Sequence, residues 1–260
     1  MTSGEILALF SSALAAGAIN AVAGGGTVLT FPALLFSGTG AVEANATSTF
    51  ALTMGTAGSL FGFRSHWAVI RQWVWRFVPV SILGSICGSW LVRHQGEAAF
   101  VRAVPWLLLF ATVLFLLQEP LRQWRRRRAG MPADPDQAPP VAACVMMQAV
   151  VAVYGGYFGA GIGILMLSVL GFMGMKDIHS MNALKNLLAA VINGTASLYF
   201  ALTGMVNWPR AMIMLAGAIP GYWLGAHFSQ KIPQPAVRAF VIFTGLTISA
   251  LMFWKMLAGK

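Results

Sequence analysis

Gly84-Ser-Ile-Cys-Gly-Ser-Trp-Leu-Val-Arg-His94 returns later in the chain as Gly217-Ala-Ile-Pro-Gly-Tyr-Trp-Leu-Gly-Ala-His227. Six of the eleven positions are identical, among them both glycines, the tryptophan and the histidine. The duplication sits in a chain that is 58% hydrophobic and 9% charged. A soluble domain carries roughly 25% charged residues. No Asp, Glu, Lys or Arg occurs from Ile6 to Val42, or from Gln137 to Met175. Either stretch exceeds the roughly 20 residues that span a bilayer. An internal duplication in such a chain implies a membrane transporter with its substrate site between the halves.

Apolar runs predict helices over 6–36, 44–63, 73–92 and 98–117, then over 141–173, 181–202, 211–228 and 237–254. The fold class is an all-α polytopic membrane protein built from two homologous four-helix halves, about eight transmembrane helices in all. The division is 1–120 for the first repeat, 121–140 for a basic, proline-rich cytoplasmic linker, and 141–260 for the second repeat. The net charge of +10 would suggest nucleic acid for a soluble protein. Here it follows from Lys and Arg gathering in cytoplasmic loops. Arg64, Arg71 and Arg76 follow the second helix and Arg125–Arg128 follow the fourth, so eight passes with the N-terminus inside put both groups in the cytoplasm. The alternative is ten passes, an inverted repeat and both termini outside; charge bias does not separate the two. The first charge is Glu5 and no Lys or Arg precedes the apolar run, so the start does not read as a signal peptide. Cys87 and Cys144 lie in apolar segments without metal-ligand spacing and read as packing thiols.

The first segment of each half is too long for one straight crossing and is interrupted by glycine, at Ala23-Gly-Gly-Gly-Thr27 and Gly159-Ala-Gly-Ile-Gly163. A shift of 137 residues superposes Gly24 on Gly161, Gly26 on Gly163, Asn45 on Asn182 and Ser48 on Lys185. A helix broken inside a membrane exposes backbone that only protein or water can satisfy. Gly24, Gly25 and Gly26 open the backbone, and Thr27 is placed to cap a new helix with its hydroxyl. The N-terminus of that helix offers N–H groups and a positive dipole end to an anion. Gly161 and Gly163 would do the same from the other half. Tight helix packing by small residues is the competing explanation.

Lys185 stands four residues into an apolar helix, in Met181-Asn-Ala-Leu-Lys-Asn186. A cation at mid-bilayer costs roughly 2.5–3.5 kcal/mol and points to function. Snorkelling to the nearby interface is the competing explanation. Asn182 and Asn186 flank it, and Asn45, Ser48 and Thr49 are the first-half counterparts. No Asp or Glu lies in these stretches, so a cationic substrate would lack a counter-charge. His94 and His227 read as interfacial or capping histidines, Trp90 and Trp223 as packing or interfacial anchors. Pro32 is placed to kink or start its half-helix.

Enzyme signatures are missing from the sequence. There is no paired carboxylate, no His-x-x-x-His, no Walker loop and no nucleophile elbow, and no cofactor or metal is expected. An anion channel and a non-transporting membrane scaffold are the rival readings.

The duplicated half, with Asn20-Ala-Val-Ala-Gly-Gly-Gly-Thr27 and later Pro32, and Gly155-Gly-Tyr-Phe-Gly-Ala-Gly-Ile-Gly163 in the second half, resembles the TauE/SafE sulfite exporter family. The resemblance covers nearly the whole chain except the basic linker. It implies a secondary permease for sulfite, a sulfonate or a related small sulfur-containing anion, in the bacterial inner membrane. Ile162 replaces the middle glycine of the second motif. The expected partners are a small anion and membrane lipid, with no nucleic acid.

Overall fold

A computed structural model describes residues 1–22, 25–56, 67–129, 140–173, 175, 177–228 and 234–257. The described residues form helices α1 (Ser3–Val22), α2 (Thr27–Phe36), α3 (Ala41–Thr56), α4 (Trp67–His94) and α5 (Glu97–Ala129) in the first half. The second half gives α6 (Val141–Tyr157), α7 (Ile162–Phe172), α8 (Ile178–Leu202), α9 (Trp208–Phe228) and α10 (Gln234–Leu257). Among the described residues there is no strand. Large apolar side chains such as Trp75, Leu83, Val150, Leu202, Phe243 and Trp254 point outward. Only a hydrocarbon solvent makes such a surface stable. The chain is a polytopic, all-α membrane protein.

Both glycine breaks are present, and each is a reversal. In a straight helix Ala16 and Gly26 would stand about 15 Å apart. Instead a Cβ added at Gly26 would lie 2.6 Å from the Ala16 carbonyl oxygen, so α2 turns back along α1. In the second half Ile162 packs against Gly155, and the Tyr154 hydroxyl donates to the Ala160 carbonyl at 2.6 Å. Gly25, at φ +95°, and Gly161, at φ +76°, make the turns in the left-handed region, where a side chain is strained. These two glycines correspond at a shift of 136 residues, one fewer than the sequence register suggests. Ile162, the departure from a triple glycine, occupies the space that the bare Gly155 leaves. At about 1.5 Å per residue, the 10 residues of α2 and the 11 of α7 cover only half of a hydrocarbon core about 30 Å thick. Pro32 sits inside α2 rather than at its start.

The duplicated glycine motif shows its purpose in the packing. α4 lies on α6 and α9 lies on α1, so the motif helix of each half packs on the first helix of the other. A Cβ on Gly221 would collide with the Leu14 carbonyl, and one on Gly88 with the Val153 carbonyl. Missing side chains thus let two backbones approach, as small residues do between membrane helices. Hydroxyls then bridge the seam: Ser85 donates to the Ile192 carbonyl at 2.6 Å and Ser89 to the Gly156 carbonyl at 3.1 Å. α3 packs on α8 and α5 on α10, again across the halves. We expect Gly221→Leu to cost more than the roughly 1–3 kcal/mol of ordinary overpacking, because the obstacle is backbone. The check is the yield of monodisperse protein in detergent. Gly194→Leu is the control, since a Cβ there meets nothing within 4 Å.

Several local expectations need correction. α4 starts at Trp67, so Arg71 and Arg76 lie on a helix, with Arg76 over the Trp73 ring at 5.5 Å. α5 runs on to Ala129, so the helix expected to end at 117 continues through Arg125–Arg128. Cations are favourable at that negative dipole end. Cys87 is exposed, whereas Cys144 is buried as expected. Trp90 stacks on His94 at 4.3 Å and Trp223 on His227 at 5.5 Å, an i, i+4 pair repeated in both halves.

Candidate functional site

The two breaks meet at one helix. The Phe115 ring of α5 covers Gly25, and Leu114, one residue before it, stands 3.3 Å from where a Cβ on Gly161 would be. Ile19, Val28, Leu114, Phe115, Ile164 and Val241 form one buried cluster around this point. It joins α2 and α7 just past their starts, so the positive ends of both half-helices belong to one region.

Around it the structure distributes the sequence candidates unevenly. Gly24 lies outside the described residues. Gly25 and Gly26 make the first turn, and the Gly26 N–H donates to Asn20 Oδ1 at 2.7 Å. Thr27 is the first helical residue and does not cap; Gly26 is the N-cap, without a side-chain hydrogen bond. The reason is the reversal, which leaves Asn20 of α1 beside the opening turn and lets it do the capping from outside. Ser48 is fully buried and shares a 2.6 Å hydrogen bond with the Thr30 hydroxyl of α2. Asn45, equally buried, donates its amide to the Tyr157 carbonyl at 3.0 Å, so it touches the end of α6 in the other half. The Thr49 carbonyl accepts from the Thr53 hydroxyl at 2.6 Å.

In the second half the half-buried Lys185 runs along the start of α7: its Cδ stands 3.5 Å from where a Cβ on Gly163 would be. This places an ammonium-bearing chain against the opening turn that Gly161 and Gly163 form. Asn182 is half-buried on the same helix, and Asn186 is exposed. The structure therefore brings Gly161, Gly163 and Lys185 together, and ties Asn45 and Ser48 to the two half-helices.

Sequence reasoning missed five residues that build this region. Asn20 holds Gly26 and is itself hydrogen-bonded to Tyr222. Tyr154 spans the second reversal. Phe115 covers the first, and Asn193 Oδ1 is 3.5 Å from the Cβ position of Gly159. Asn20 opened the quoted motif, a signal within reach; nothing local marked Phe115.

At the end of α3 nearest Ala41 the halves are fastened by polar groups. Asn207 donates its backbone N–H to the Thr47 hydroxyl and its amide to Glu43, each at 3.0 Å. Arg210 donates to the Ser37 carbonyl at 2.7 Å. The Glu97 carboxylate accepts from the N–H groups of Ala41 and Val42, capping α3 from the start of α5. Asp177 caps α8 through the N–H groups of His179 and Ser180, at 3.1 and 3.0 Å. The Ser180 hydroxyl first, then those N–H groups, hold its carboxyl below the ordinary 3.8. A depressed folded value means the cap stabilises above the ordinary pKa and fades as pH falls through the folded one. Asp177→Ala is thus expected to lower Tm at neutral pH, with the gap to wild type closing in acid below about 3.8.

Among the described residues no three His, Cys, Asp or Glu side chains converge as a metal site would need. The arrangement is a pair of broken helices that start against one helix, α5, with Lys185 along the start of the second, in an apolar helical bundle. The chain belongs to the sulfite exporter TauE/SafE family, whose model matches residues 9–252. It is 27% identical over 255 residues to a probable membrane transporter protein of Haemophilus influenzae, covering 95% of this chain and 93% of that one. It is 26% identical over 252 residues to the probable membrane transporter protein YfcA of Escherichia coli K12, covering 95% and 88%. A probable membrane transporter protein of a Sinorhizobium species, ORF9, is 20% identical over 246 residues, covering 93% and 89%. No solved structure matches the chain.

Proposed function

We propose that this transporter moves a small sulfur-containing oxyanion, such as sulfite or a sulfonate, across the bacterial inner membrane by alternating access between repeats 1–120 and 141–260. The observation that carries the substrate class is Lys185 lying along the start of α7. A cation beside a positive helix end favours an anion, and no carboxylate occurs in either broken segment to favour a cation. Gly24, Gly25, Gly26, Thr27, Asn45, Ser48, Thr49, Gly161, Gly163, Asn182, Lys185 and Asn186 are the candidate contacts. The reversals at both breaks support five antiparallel elements per repeat, and an odd number inverts the second repeat against the first. Inverted repeats are what alternating access exploits, one half rocking on the other around a fixed site. The Glu43–Asn207 and Arg210–Ser37 bonds are polar contacts between the halves that such a rocking motion would have to break or carry along.

The test is thermal stabilisation of the purified protein by a panel of sulfite, taurine-like sulfonates, sulfate, chloride and potassium-matched controls. A ligand at a hundredfold excess over Kd contributes about 2.7 kcal/mol. Stabilisation by sulfite or a sulfonate, but not by chloride, is the expected result. No shift with any sulfur oxyanion would remove the substrate assignment.

A further inference from the structure

On the outward face of the protein, between α4 and α6, lies a groove of about 420 Å³ lined by Leu91, Met146, Ala149, Val150, Val153, Tyr154 and Tyr157. Met146 and Val150 are among its exposed walls, at 66% and 68%. Its lining is apolar throughout, and polar residues follow just beyond the end that Leu91 and Tyr157 mark. There the Tyr157 hydroxyl donates to Gln95 Oε1 at 2.8 Å. The other atom of that amide, Gln95 Nε2, is buried and has no hydrogen-bond partner. A buried donor without an acceptor costs about 1–3 kcal/mol, so it marks a place where an acceptor is missing. Arg93 and His94, both exposed, follow Leu91 by two and three residues at the same helix end, beside the exposed Trp90.

We infer that this groove is a binding site for one phospholipid with an anionic headgroup. The acyl chain lies on Met146, Val150 and Val153, where dispersion and shape hold it. The glycerol ester carbonyls or phosphate oxygens accept from Gln95 Nε2, and Arg93 meets the headgroup charge. The order of features along the groove, hydrocarbon, then an amide donor, then cations and an interfacial Trp, is the order of chemistry along a lipid. A second copy of this chain would match the apolar lining but would not need the donor and the cations at one end. The groove also borders working parts. Tyr154 spans the second reversal, and the Tyr157 carbonyl holds Asn45. A lipid seated here therefore braces the turn that carries Gly159 and Gly161. This site does not depend on which substrate the transporter moves.

The experiment is native mass spectrometry of the detergent-purified protein after incubation with equal amounts of phosphatidylglycerol and phosphatidylethanolamine. Val150→Trp and Met146→Trp each fill the groove from exposed positions; Arg93→Gln and Gln95→Leu remove the polar end. Wild type is expected to keep one phosphatidylglycerol at least tenfold more than phosphatidylethanolamine. Either tryptophan variant that elutes as monodisperse protein should lose the bound lipid at least tenfold. Arg93→Gln should erase the headgroup preference, and Gln95→Leu should weaken retention of both lipids. Equal retention by wild type and a tryptophan variant would overturn the inference. So would a wild-type dimer that the tryptophan variants dissociate, which would make the groove an interface between copies. Adventitious lipid shows itself as several adducts with no headgroup preference, and that too would overturn it.

Discussion

Gly25→Leu is expected to abolish transport. Gly25 stands at φ +95° and its missing side chain is where the Phe115 ring lies. A branched side chain meets two costs at once. The left-handed backbone costs roughly 1–2 kcal/mol for an L-residue. The ring must also leave a cluster in which it is 1% exposed, displacing Ile19 and Val28 with it. Since Val28 belongs to the first turn of α2, the half-helix moves too, and with it the dipole end that the proposed site uses. The variant should still insert, because the break is short and the α1–α9 seam is untouched. Flux in proteoliposomes at the level of empty vesicles, from correctly inserted protein, is the expected reading. Full flux would remove the first break from the site. Gly25→Ala, which keeps the strain but adds little bulk, should retain more activity than Gly25→Leu.

Lys185→Met is expected to weaken anion affinity about ten- to a hundredfold, the equivalent of one charge-assisted hydrogen bond at roughly 1.5–3 kcal/mol. Lys185→Arg should lose less, because it keeps the charge at nearly the same reach. The Met variant should fold, since replacing a half-buried cation by an apolar chain of similar length removes a desolvation cost in the membrane. The anion-induced shift of its Tm should shrink relative to that of wild type. A snorkelling lysine would leave the Kd of both variants near that of wild type. Equal Kd values for wild type and Lys185→Met would retire the lysine as a ligand.

The long-range frame of this protein was legible in the sequence because membranes leave few choices. An uncharged run must cross or be buried, and glycines repeated at equal spacing must do something that a side chain would prevent. That logic found both breaks and α8 to α10. It also found the Gly84 and Gly217 motifs, although not their partners. Which helix a glycine faces depends on the fold, and each motif faces the other half. The direction of the breaks was hidden for a similar reason. A glycine run permits both a kink and a reversal, and the choice rests on Asn20, Tyr154 and Phe115, residues of other helices or of the preceding turn. Thr27 illustrates the limit: hydroxyl, position and spacing all suited a cap, yet Asn20 reaches the opening turn first. Charge and nearby prolines end the expected helix at 117, whereas α5 runs on to Ala129.

The most direct measurement is counterflow of labelled sulfite in proteoliposomes that hold the purified protein. Transport by alternating access predicts uptake that saturates with sulfite and accelerates when unlabelled sulfite is loaded on the opposite side. Flux equal to that of protein-free vesicles, or flux that rises linearly without trans acceleration, would contradict it.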